Sequence, residues 1–153
     1  MPPVTPLWIS HHRPEHYGRC VRLAGLHVCA RCLGVYPMLF AALALQIAFR
    51  AALRGPWDPW MALALPVPAL VDWALGRFRP ASGTNARRLL TGALLGASLA
   101  RTLYLHLRWP GHPLAMAQFL ALLAAAVVVE GARLWRRRRP DPSLGSPVDP
   151  SER

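Results

Sequence analysis

Four apolar stretches constrain what this chain can fold into. They run from Leu33 to Phe49, Trp57 to Leu75, Leu89 to Leu107 and Pro113 to Ala132, and a helix needs about 20 mostly apolar residues to cross a bilayer. Any one of them can be read as a buried helix of a soluble core. Four in succession, with loops of about ten residues between them, cannot all be read that way. The fourth, with LAMAQFLALLAAAVVV, is the cleanest. The first is short, the second holds Pro66, Pro68 and Asp72, and the third holds Arg101. Hydrophobic residues make up 54% of the chain and charged residues 16%, against roughly 25% charged in a soluble domain. The implied solvent is lipid.

The net charge is +11 and all 18 basic residues are arginine. They occur in short clusters between apolar runs, not as one basic face of a soluble fold, which argues against a nucleic-acid partner. The clusters instead orient the spans. Arg13, Arg19, Arg22 and Arg31 precede the first span; Arg77, Arg79, Arg87 and Arg88 follow the second; Arg133 and Arg136 to Arg139 follow the fourth. The opposite loops hold only Arg50, Arg54 and Arg108. Both termini are therefore expected in the cytoplasm, with Trp57, Trp60, Tyr104 and Trp109 near the outer boundary. The run Arg136 to Arg139 reads as an anchor against anionic lipid. The opening MPPVTPLWIS lacks the basic and long apolar regions of a secretory signal. The tail PDPSLGSPVDPSER has the composition of a disordered end.

Cys29 and Cys32 stand in CxxC spacing at the cytoplasmic mouth of the first span, where thiols stay reduced. That leaves two readings, a metal knuckle or a redox pair. Two sulfurs on one turn can both reach a tetrahedral zinc ion, which needs two further ligands. His11, His12, His16, Cys20 and His27 are all near in sequence, and spacing does not choose among them. In the third span Gly92 and Gly96 have GxxxG spacing with alanines beside them. We read this as a packing seam inside the bundle, with oligomerisation as the secondary use.

The elements HHRPEH, HVCARCLGVY, PVPALVD and SGTNARRLLTG, spanning about residues 11 to 101, resemble the DUF2085 family of small predicted prokaryotic membrane proteins. That family's pattern has Cys-His-x-x-Pro, Cys-x-Arg-Cys-x-Gly-x-Tyr, a proline with a following aspartate in the second span, and Thr-Asn-x-x-Arg-x-x-x-Gly opening the third. Cys29, Arg31, Cys32, Gly34 and Tyr36 match the second element, Asp72 the third, and Thr84, Asn85, Arg88 and Gly92 the fourth. The family's leading cysteine falls at His11, with His12 and Pro14 in step behind it. Zinc tolerates an exchange of cysteine for histidine and a catalytic dithiol does not do so easily. The resemblance thus implies His11, His12, Cys29 and Cys32 as a zinc set, and it implies no reaction.

Asp72, Asn85 and Arg88 are expected to meet at the inner membrane surface as a polar, substrate-binding pocket, joined there by Thr84, Arg87 and Glu130. Alternatively Asp72 and Arg88 form a salt bridge between the second and third helices, Ser82 or Thr84 caps the third helix, and Glu130 pairs with Arg133. Arg101, about 20 Å above Arg88 at 1.5 Å per residue, is expected to snorkel outward. The fold class expected is all-α: a four-helix transmembrane bundle (33–135), a short cytoplasmic N-terminal Cys/His segment (1–32), and a basic, then disordered tail (136–153). The setting is a prokaryotic inner membrane. Function is read first as a zinc-clamped membrane protein. The alternatives are a membrane enzyme acting on a lipid-phosphate or quinone-like substrate through Asp72 and Glu130, and a thiol redox protein using Cys29 and Cys32.

Overall fold

The computed structural model describes residues 18, 20–23, 25–79 and 83–138. Strands β1 (Cys20–Leu23) and β2 (Leu26–Cys29) form an antiparallel hairpin that pairs Cys20 with Cys29, Val21 with Val28 and Leu23 with Leu26. Gly25, at φ +82, supplies the positive φ that so short a connection demands. The cross-strand Val21 and Val28 are β-branched residues that fit a pleated surface. The hairpin corrects the all-α expectation and lies within the expected Cys/His segment. Residues 1–17, with His11, His12 and His16, and the tail from residue 139 lie outside the described residues.

Helices α1 (Ala30–Ala48), α2 (Val67–Phe78), α3 (Asn85–Arg108) and α4 (Pro113–Arg138) follow, with a π-helical turn (Trp60–Ala64) leading into α2. Because α1 begins at Ala30, not Leu33, Cys29 is its N-cap and Cys32 lies in its first turn. At its other end Arg50 adopts φ 47 while Ala51 N–H bonds the Gln46 carbonyl at 3.0 Å and Arg50 N–H bonds that of Ile47 at 3.2 Å. These are the two bonds of a Schellman ending, with arginine where glycine is usual.

Three segments are long and apolar enough to cross a membrane: Ala30–Ala48, Trp60–Phe78 and Pro113–Arg138. The expected third span, Leu89 to Leu107, falls within α3, which is not among them. The reason lies in the face α3 turns inward. Arg88, Thr91, Gly96, Ser98, Arg101 and Thr102 are buried, while Leu90 and Leu107 are exposed. Across the molecule the exposed residues include Phe40, Leu120, Val127 and Val128, and the buried ones Asp72, Arg101 and Gln118. Polar groups inside and large apolar groups outside invert the order of a water-soluble protein and suit a lipid solvent.

α3 is the axis. α1 packs along it, and the π-turn, α2 and α4 touch it as well. Where α1 and α3 meet, a Cβ on Gly92 would stand 2.5 Å from the Arg31 carbonyl oxygen. One on Gly96 would run into the Val35 carbonyl, and one on Gly34 into that of Leu89. The GxxxG element is therefore a seam within the chain, and it lets two backbones approach as closely as lipid-embedded helices require.

Pro66 explains a second polar cluster. A proline has no N–H to give the carbonyl four residues back, so the Ala62 oxygen needs other donors. Gln118 Nε2 of α4 donates to it at 2.9 Å and Ser98 Oγ of α3 at 3.4 Å. Thr102 completes the cluster by donating to Gln118 Oε1. A helix break inside a membrane is tolerated when neighbouring helices satisfy the freed groups in this way.

Candidate functional site

The matched motif residues converge at the end where the hairpin enters α1. Asp72 of α2, 4% exposed, is held between two guanidinium groups. Arg31 of α1 reaches one carboxylate oxygen, and Arg87 Nε of α3 donates to the other at 2.8 Å. A carboxylate this deep is too costly to leave unpaired. The expected bridge from Asp72 to Arg88 is not formed. Thr84 Oγ1 caps α3 by accepting from Arg87 N–H at 3.3 Å, and one residue further turns Arg88 by about 100°, away from Arg87. There its Nη1 donates to Asn85 Oδ1 at 3.3 Å. Asn85 Nδ2 in turn donates to the Cys20 carbonyl at 3.1 Å, tying the hairpin to α3.

Asp72, Asn85 and Arg88 are thus gathered at one end, but in two sets: Arg31–Asp72–Arg87, and Arg88–Asn85–Cys20. Asp72 is not the arginine-free acid in an open cleft that acid–base chemistry would need. Glu130 of α4 is likewise paired, with Arg77 of α2 and, at 3.3 Å, with Arg133. The expected i, i+3 pair exists and is part of a link between α2 and α4. Arg136 lies over the Phe78 ring at 5.7 Å, so the arginines after α2 and those ending α4 share this end of the molecule.

The thiols lie at this same end, Cys20 in the second set and Cys32 next in sequence to Arg31 of the first. Cys20 and Cys29 face each other across the ladder and are both buried, while Cys32 is partly exposed. Among the described residues, no group of three or more His, Cys, Asp or Glu side chains is arranged to hold a metal ion. Of the expected zinc set only Cys29 and Cys32 are described; Cys20, the thiol without a counterpart in the family pattern, stands directly against Cys29.

The opposite end holds a pair that sequence reasoning missed. Arg101 does not snorkel. It is buried and binds Asp58 through two bonds, Nε to Oδ1 at 2.8 Å and Nη2 to Oδ2 at 2.9 Å. It also donates to the Ala52 carbonyl at 2.6 Å and to Gln46 Oε1 at 3.3 Å, and Tyr104 Oη donates to the Ala51 carbonyl at 2.9 Å. Together these bonds pin the turn around Arg50 to α3. Burial pushes the Asp58 carboxyl up, but the Arg101 and Gly55 hydrogen bonds and the charges of Arg101 and His112 outweigh it and hold it below its ordinary value.

An inverted polarity, a glycine seam and charges closed on one another define a helical membrane protein. The chain belongs to the DUF2085 family, described as a predicted membrane protein, whose match covers residues 11–102. That range takes in the hairpin, α1, α2 and most of α3, and leaves α4 outside. Neither curated proteins nor solved structures give a match. Among the matched motif residues, Arg31 and Asp72 form the buried ion pair, Asn85 and Arg88 fasten the hairpin, and Gly34 and Gly92 make the seam. These six have structural work.

Proposed function

We propose that this is a four-crossing protein of a prokaryotic inner membrane, with both termini in the cytoplasm, in which Cys29 and Cys32 with His11 and His12 hold a zinc ion. The metal fastens the segment before the hairpin over the charged end of the bundle. The single observation that carries this reading is the position of the CxxC. Cys29 and Cys32 lie on one turn at the N-terminus of α1 and in no disulfide. Two sulfurs within one turn suit two corners of a tetrahedral site. Arg31, Gly34, Asp72, Asn85, Arg88 and Gly92 have packing or bonding roles of their own.

α3 is the fourth crossing in this reading. Its 24 residues span about 36 Å at 1.5 Å per residue, more than the roughly 30 Å of a hydrocarbon core, and Arg101 and Arg88 turn inward. Orientation follows from the arginines at the hairpin end, with Arg77, Arg133 and Arg136 there facing anionic lipid.

The test is zinc content by mass spectrometry of detergent-purified, reduced protein that has met no chelator. We expect about one zinc per chain, as one tetrahedral site requires, lost in Cys29→Ser/Cys32→Ser. Protein without zinc, or zinc retained by the double variant, overturns the reading.

A further inference from the structure

We infer that Arg31 and Arg87 together bind a phosphate group, supplied by a phospholipid head group or by a soluble phosphate. The site needs neither the thiols nor a metal.

The first support is charge. Two guanidinium groups meet one carboxylate, Asp72, and neither has another acidic partner. The remaining carboxylates among the described residues are engaged elsewhere, Asp58 by Arg101 and Glu130 by Arg77 and Arg133. Two arginines against one aspartate leave the set with one positive charge in excess. The backbone adds to it. Arg31 lies against Gly92 and Val35 against Gly96, so α1 and α3 run parallel and begin at this same end. Neither has an acidic residue in its first turn, and no side chain caps the start of α1. The positive ends of two helix dipoles therefore stand beside the surplus charge, a setting that favours an anion.

The second support is the donors left over. A guanidinium carries five N–H groups in a planar fork. Arg31 reaches Asp72 through Nη2, and its Nε is buried with no partner. A buried donor left in that state is costly, and an oxyanion relieves it. Arg87 spends Nε on Asp72, and its Nη2 lies over Gly83, where a Cβ would displace it. Its side chain is 43% exposed and that of Arg31 25%, so both are open to a ligand. A phosphate has acceptor oxygens enough to take a fork from each arginine. Arg31 is also the second residue of a segment long and apolar enough to cross a membrane. Basic pockets between helices at that boundary are where lipid head groups bind.

The test maps arginine reactivity on the unaltered, full-length protein in a neutral detergent. Phenylglyoxal modifies the arginines, and the sites are read by mass spectrometry after chymotryptic digestion. One probe is inorganic phosphate, against sodium chloride of equal ionic strength. The other is phosphatidylglycerol, against phosphatidylcholine. At about ten times the half-saturating concentration, Arg31 and Arg87 should be modified about tenfold more slowly. Arg137, exposed at the end of α4, should react at an unchanged rate. Protection by phosphatidylglycerol alone assigns the site to a lipid head group; protection by inorganic phosphate assigns it to a soluble one. Arg87→Gln should leave Arg31 unprotected, whereas Arg137→Gln, with the same loss of charge, should not. No protection by either probe, protection of only one of the pair, or equal protection at Arg137 overturns the inference. The mapping on the unaltered chain decides this whether or not the Arg87 variant folds.

Discussion

Arg101→Leu is expected to destabilise the folded bundle by about 3–5 kcal/mol, the cost of leaving one member of a buried ion pair without its partner. Solvent screening offers little relief, since the two side chains are only 8% and 12% exposed. The loss strands the Asp58 carboxylate, the Ala52 carbonyl and Gln46 Oε1 together. Unfolding in detergent, followed by helical circular dichroism, measures it. Asp58→Leu/Arg101→Leu should recover much of the loss, because a buried pair replaced by apolar groups is often close to neutral. A double variant as unstable as the sum of the single ones would mean that the pair is not coupled. The pH dependence follows in sign. The folded Asp58 carboxyl lies below its ordinary value, so its contribution is present above the unfolded value, about 3.9. It is lost as pH falls through the lower folded value. Stability attributable to this pair should be flat through the neutral range and decline only in strong acid, and Arg101→Leu should abolish that decline.

The second large effect lies in the seam. Gly92→Ala and Gly96→Ala each drive a Cβ into a carbonyl of α1, at Arg31 and Val35 respectively. The atoms met are backbone, so the helices must separate. Overpacking of this kind costs about 1–3 kcal/mol. Alanine also gains about 1 kcal/mol of helix propensity over glycine, so the net loss expected at each site is about 0–2 kcal/mol, and leucine at either position should cost more. Gly131→Ala is the control. It stands in α4 with nothing near its Cβ, and it should be neutral or stabilising by up to about 1 kcal/mol. Equal effects at Gly131 and Gly96 would show that propensity, not the seam, governs this molecule.

The apolar runs and the arginine clusters made the rods legible in the sequence, to within four residues at each end for α1 and α3, while α4 runs six residues past the expected end. The GxxxG seam was legible too, because two small residues four apart lie on one helix face whatever the partner. The hairpin was not. Its eight paired residues carry a weak two-residue pattern, and CxxC spacing drew attention to ligand chemistry instead of strand pairing. Charge partners were legible in kind but not in identity. Asp72 had to find an arginine, yet Arg87 and Arg88 lie on different sides of α3, and nothing local shows that Arg31 also reaches across from α1. Asp58, at the start of the expected second span, was passed over, although a lone arginine in a span calls for an acid partner. Gln118 carried a similar signal. Pro66 predicts an orphaned carbonyl at Ala62, and Gln118 is the amide side chain of α4 at that level.

The central claim is that α3, with its arginines turned inward, crosses the bilayer as the axis of the bundle. Single cysteines introduced as Arg54→Cys, Arg79→Cys, Pro110→Cys and Arg138→Cys, with Cys20, Cys29 and Cys32 changed to serine, test it most directly. Each is exposed to a membrane-impermeant maleimide in intact spheroplasts and in inverted vesicles. The account predicts labelling from outside at positions 54 and 110 and from inside at 79 and 138. Labelling of 79 and 110 from the same side would mean that α3 does not cross, and would contradict it.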